Sequence, residues 1–190
     1  FDLMARSVRF SEMKLSRYVN SINEQEQKQF SAMTFDIGDK TKYIAFRGTD
    51  DTLVGWKENL NMSFLSCIPA QAEALDYLNG VACSCRSSLR LGGHSKGGNL
   101  AVFASMHADK KIQNRIIEIY NNDGPGFKKE TFDTEGYKNI KDKLRTIVPE
   151  SSVVGILLEH DDNYEVAKSD ATGLMQHNGL SWQVLGNSFE

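Results

Sequence analysis

The stretch Leu89–Ser105, LRLGGHSKGGNLAVFAS, decides how this chain is read. Four glycines, Gly92, Gly93, Gly97 and Gly98, surround His94, Ser95 and Lys96 between a short apolar run and a helix-like segment. A phosphate-binding loop needs its lysine after the last glycine and a serine or threonine after that lysine. Here Lys96 precedes Gly97 and Asn99 follows Gly98, so the order fails. A dinucleotide fingerprint needs GxGxxG spacing, which these glycines lack. Gly93-His94-Ser95-Lys96-Gly97 does satisfy GxSxG, the sharp strand-to-helix turn that presents a nucleophilic serine. On such a turn the serine takes a strained backbone conformation, and its neighbours must be nearly without side chains for strand and helix to approach. The competing reading is a glycine-rich packing corner with a solvated serine.

The surrounding pattern suits a strand-to-helix turn. Leu89 and Leu91 mark a short strand, Leu100, Ala101, Ala104 and Ala108 share one side of the helix that follows, and RIIEIY (115–120) is the next strand. Strand, helix and strand in that order imply a right-handed parallel crossover. Upstream, Ala32–Ile37 and Tyr43–Phe46 read as a hairpin joined by Gly38, Asp39 and Lys40. Between them and the turn, PAQAEALDYLNGVACSC (69–85) reads as a helix with proline at its first position. LRTIV (144–148) and YEVAK (164–168) are further β runs. The expected class is α/β: a mostly parallel central sheet with helices on both faces and an antiparallel N-terminal hairpin. One domain over residues 1–190 is expected, with 1–28 as an N-terminal extension.

Composition sets limits on function. The 190 residues are 40% hydrophobic and 25% charged, an ordinary globular balance, and 22 basic against 25 acidic side chains leave a net charge of −3. That mild acidity argues against nucleic acid or an anionic membrane surface as partner. No apolar run reaches the ~20 residues of a membrane span, and no signal-like segment opens the chain, which begins at Phe1. Cytoplasmic is the default expectation. Cys67, Cys83 and Cys85 read as buried free thiols rather than zinc ligands or a disulfide framework. No metal or organic cofactor is implied.

GHSKGGNLA (93–101), with YIAFRGTDDTLVGW (43–56) upstream, resembles the lipase-like α/β-hydrolases of the class 3 triacylglycerol lipase group. NNDGPGF (121–127) and SSVVGILLEH with QHNGLSW (151–160 and 176–182) resemble most closely a bacterial family of that group. The likeness runs from about Gln29 to Val184. It implies that the α/β sheet read above is an α/β-hydrolase fold, and it implies a serine hydrolase that cleaves a carboxylic ester, with a small-molecule ester or lipid-like substrate.

Ser95 is the expected nucleophile, and the base and acid should follow in the order Ser, Asp or Glu, His. His94 adjoins the serine and is expected to orient the turn by a buried hydrogen bond; His107 falls late in the following helix. His160, among acidic residues, is the second choice. His177 lies after the last β run, where the resemblance puts the histidine. Class 3 lipases place an aspartate where Ser152 stands, a departure from their pattern. Asp123, ending a strand and followed by Gly-Pro-Gly, resembles instead the strand-end acid of pancreatic-type lipases. Glu150 and a turn-only role for Asp123 remain alternatives. Backbone N–H groups of Lys96 and, by resemblance, of Thr49 would receive the developing oxyanion. Asp50 and Asp51 read as capping or solvated charges, and Trp56 as core packing. A short helix alone fits between Thr49 and Pro69, which suggests a soluble or short-chain ester, although Phe127–Lys143 offers a second place for a lid. The rivals to an enzyme are a hydrolase-fold module that binds an acyl or small apolar ligand without turnover, and a partner-binding domain.

Overall fold

Ile44, Leu91 and Ile119 lie side by side in register on three neighbouring strands, each fully buried, and this row marks the centre of the molecule. In the computed structural model, which describes residues 2–50, 52–62, 64–159, 163–186 and 188–190 (the Trp56 side chain excepted), the row sits in a seven-stranded sheet. Its strands are β1 (Lys14–Asn23), β2 (Lys28–Asp36), β3 (Thr41–Phe46), β4 (Ser88–His94), β5 (Ile116–Asn122), β6 (Leu144–Pro149) and β7 (Tyr164–Ala167), in that spatial order. β1, β2 and β3 pair antiparallel; β3 to β7 run parallel. The fold is the mostly parallel α/β sheet with an antiparallel N-terminal hairpin that the sequence predicts.

Helix α1 (Asp2–Arg6) opens the chain, and α2 (Leu53–Asn61) and α3 (Pro69–Ser84) join β3 to β4. Proline begins α3 as read, and Ala74, Leu78, Val81 and Ala82 are its buried stripe. Helix α4 (Lys96–His107) packs on β3, β4 and β5, with α3 beside it. Every residue from Lys96 to Met106 is buried, so α4 is covered nearly all round rather than on one side. Its outer flank is covered by Phe127–Lys143, where α5 (Lys110–Gln113) and β5 lead into two 3₁₀ turns around α6 (Glu135–Lys138). Tyr137 and Ile140 are buried there, so this segment packs as part of the body and not as a lid. The opposite sheet face carries half-buried side chains and one exposed arginine: Arg90 bonds Glu118, the exposed Arg145 pairs with Glu118, and the Tyr43 and Tyr120 rings lie 6.3 Å apart.

Two expectations meet a different outcome. The stretch taken as an N-terminal extension supplies β1, an edge strand whose first five residues are all exposed and which has no buried member, so its composition gives little β signal. All three cysteines are free, but Cys67 and Cys83 are exposed and Cys85 half-buried. The chain ends in 3₁₀ turns at Gly173–His177 and Gly179–Ser181 and a small hairpin of β8 (Val184–Leu185) and β9 (Ser188–Phe189). Among the described residues no helix is long and apolar enough to cross a membrane.

Candidate active site

Ser95 sits between β4 and α4 with φ 58° and ψ −133°, a conformation rarely held by a side chain larger than glycine's. Its N–H donates to the Asn122 carbonyl at 2.9 Å, and its own carbonyl accepts from Gly98 N–H at 2.9 Å. The flanking glycines are required by contact: a Cβ on Gly93 would strike the Gly97 backbone, and one on Gly97 would strike the Phe46 carbonyl. Gly97→Ala should therefore cost about 1–3 kcal/mol by overpacking. Urea unfolding would show this as a lower midpoint at unchanged slope; an unchanged midpoint would mean that β3 yields freely.

Asp123 follows β5 at φ 50° and is fully buried. Its Oδ2 accepts a hydrogen bond from His177 Nδ1 at 2.6 Å, and its Oδ1 accepts from Gly155 N–H at 3.1 Å and from the Ser152 hydroxyl. Ser152, in the loop after β6, thus holds the carboxylate that follows β5. Glu150 is exposed in the turn after β6 and lines a different cavity. His107 is exposed at the end of α4 with its ring 4.2 Å from that of Phe103. His160 and Asp51 lie outside the described residues, as does the side chain of Trp56.

Sequence reasoning missed how the His177 turn is held. His94 Nε2 donates to the His177 carbonyl at 2.6 Å, with the two rings 4.5 Å apart. Trp182 Nε1 donates to the Gln176 carbonyl at 2.8 Å, and the Gln176 side chain accepts from Ser151 N–H at 2.7 Å. His94 was expected to orient the serine turn; it braces the His177 loop instead. Burial first, and the neighbouring His177 second, push the His94 imidazole below its ordinary value. The unfolded chain binds this proton more readily than the folded one. The His94 contribution to stability is therefore complete above about pH 6.5, the free imidazole value, and is lost as the pH falls toward the lowered folded value. The thermal midpoint should drop between pH 7 and pH 5, and drop less in His94→Gln; equal drops would remove His94 as the source.

Ser95, His177, Lys96 and Thr49 all line one cavity of about 430 Å³. Its remaining wall is largely apolar: Leu60 and Met62 at the end of α2, Pro125, and Val154, Leu157 and Leu158 from the loop after β6, with Asn59 beside them. The Thr49 hydroxyl donates to Asn59 Oδ1 at 2.9 Å, so among its donors the backbone N–H is the one left for a ligand. Asp50 accepts from Thr52 N–H at 3.1 Å and pairs with Arg47, and Thr52 caps α2. Lys96, named from sequence only for its N–H, turns its side chain inward against Glu58. Among the described residues no cluster of His, Cys, Asp and Glu is arranged to hold a metal ion.

Solved lipases share this architecture. The Rhizomucor miehei lipase in its propeptide complex is 15% identical with a TM-score of 0.57, over 82% of this chain and 57% of that one. The lipase of Rhizopus microsporus var. chinensis is 17% identical (TM-score 0.54) over 95% of this chain and 67% of its own, and the Penicillium expansum triacylglycerol lipase 9% identical (TM-score 0.54) over 83% and 71%. The chain thus spans less than two thirds of the Rhizomucor enzyme. At such identities the likeness shows the lipase-like α/β-hydrolase fold. No curated protein matches by sequence. A sequence model of the Mbeg1-like family matches residues 4–190, and the chain belongs to that family.

Proposed function

We propose that this protein is a serine hydrolase that cleaves a carboxylic ester through an acyl-enzyme, with Ser95 as nucleophile, His177 as base and Asp123 as acid. The observation that carries the reading is the buried Asp123 carboxylate on His177 Nδ1, beside a cavity that Ser95 also lines. With Nδ1–H committed to Asp123, the lone pair of His177 is on Nε2, the tautomer that accepts a proton from Ser95 Oγ. Oγ attacks the ester carbonyl carbon, and the carbonyl oxygen takes the negative charge toward the N–H groups of Lys96 and Thr49. The imidazolium returns its proton to the leaving alkoxide as the C–O bond breaks. Water then repeats the sequence, releasing the acid and restoring Ser95.

The apolar wall of the cavity suits an acyl chain. Leu60, Leu157 and Leu158 are part-exposed at its edge. An ester with an apolar acyl group is the substrate class that this wall favours.

A fluorophosphonate probe tests the reading. The parent protein should gain the mass of one phosphonyl group, on the peptide that contains Ser95. His177→Ala should label far more slowly, whereas His160→Ala should label at the parent rate. A parent protein that stays unlabelled would retire the hydrolase reading in favour of a module that binds an acyl ligand without turnover; loss of labelling in His160→Ala alone would move the base to His160.

A further inference from the structure

The reaction above leaves unused the side chains of Lys96 and Glu58, which are 1% and 0% exposed and begin at the residue after Ser95 and in α2. Their hydrogen bonds close completely. Lys96 Nζ donates its three protons to the Gln29 carbonyl (2.7 Å), Gln29 Oε1 (2.6 Å) and Glu58 Oε2 (2.7 Å). Glu58 Oε2 also accepts from Gln29 N–H at 3.1 Å, and Oε1 from Ala70 N–H at 2.9 Å. Burial lowers the affinity of the ammonium for its proton while Glu58 raises it, and Asp50 and Arg47 face it as well.

The cluster leads to both sides of the proposed oxyanion site. Lys96 is itself the residue after the nucleophile. Glu58 precedes Asn59, which holds the Thr49 hydroxyl, and Gln29 Nε2 reaches the Gly48 carbonyl at 3.5 Å. Gly48 in turn lies so close to the elbow that a Cβ there would be 2.8 Å from the His94 carbonyl. A buried ion pair is weak evidence for stability, because its desolvation offsets its attraction. Its geometry is directional, however: the Lys96 ammonium holds Gln29 Oε1, which leaves Gln29 Nε2 facing Gly48, and an apolar pair of the same volume would leave that amide unoriented.

We infer that the side chains of Lys96, Glu58 and Gln29 are positioning residues for the oxyanion site, one buried cluster that holds the Lys96 and Thr49 N–H groups at a fixed separation. This inference rests on the hydrolase reading. Oxyanion donors matter in the transition state more than in ground-state binding, so their displacement lowers kcat and spares KM.

The test compares Glu58→Gln, Lys96→Met and the double variant Lys96→Met/Glu58→Gln with the parent, by thermal midpoint and by kcat and KM on a p-nitrophenyl ester. Each single variant leaves one buried group without its partner and should melt earlier; the double variant should recover much of the midpoint, since no unpaired charge remains. Its kcat should stay about 10 to 100 times below the parent, with KM within about twofold, in line with weakened oxyanion donors. A folded double variant with parental kcat would overturn the inference, as would a fall in kcat that tracks the midpoint across all three. Should the double variant not fold, Gln29→Leu decides: it keeps the Lys96–Glu58 pair but removes the link to Gly48, and a parental kcat would again overturn the inference. A parent without ester turnover or phosphonate labelling would instead overturn the hydrolase reading itself.

Discussion

Ser95→Ala is expected to lower kcat on an ester by about 10⁶, the loss that follows removal of the nucleophile from a working triad. The strain of the Ser95 turn is independent of the hydroxyl. Alanine at φ 58° is as strained as serine, and the hydrogen bonds of the turn run through the backbone N–H and C=O of residue 95. The substitution should therefore remove chemistry and leave the fold, with a thermal midpoint close to the parent's. Binding of a non-hydrolysable ester analogue should persist, because the apolar cavity wall is untouched. Full phosphonate labelling of Ser95→Ala, or residual turnover within tenfold of the parent, would place the nucleophile elsewhere.

Asp123→Asn should cost about 10⁴ in kcat, the effect of neutralising a triad carboxylate. Three donors converge on Asp123: His177 Nδ1–H, Gly155 N–H and the Ser152 hydroxyl. An amide offers one acceptor oxygen in place of two. If its oxygen stays with Gly155 and Ser152, its NH₂ faces His177 Nδ1 and drives the ring proton to Nε2, where the lone pair is needed. If it faces the other way, the buried Gly155 N–H meets a donor, which adds a loss of stability on the order of 1–3 kcal/mol. Measuring both kcat and the urea midpoint separates the two orientations: the first loses activity through the wrong tautomer, the second through the missing charge that stabilises the imidazolium. A kcat within tenfold of the parent would remove Asp123 from the acid role. Glu150→Gln, at an exposed position lining a different cavity, should change kcat less than twofold.

Local chemistry made the serine turn legible. Gly93 and Gly97 flank Ser95 because strand, turn and helix meet within van der Waals distance, a requirement that lies within five consecutive residues. The same holds for the proline that starts α3 and for the apolar alternation of β3, β4 and β5, whose buried rows have the period of a strand. Edge strand β1 was not legible, since pairing on one side with an exposed surface asks little of its side chains. Chain order, together with the resemblance to lipases, narrowed the base to His177 and His160 and the acid to Asp123 and Glu150. Only the packing of β6, the loop after it and the Gly173–His177 turn brings a particular carboxylate within 2.6 Å of a particular imidazole. The brace from His94 and the Gln29–Glu58–Lys96 cluster depend on the same kind of meeting: their members stand 83 residues apart in one case and 67 and 38 in the other. Hydrogen bonds between such distant residues leave no period or spacing in a sequence. They exist because the packed sheet and the buried α4 bring each donor to its acceptor, with the Lys96 bonds buried and the His94 bond part-buried.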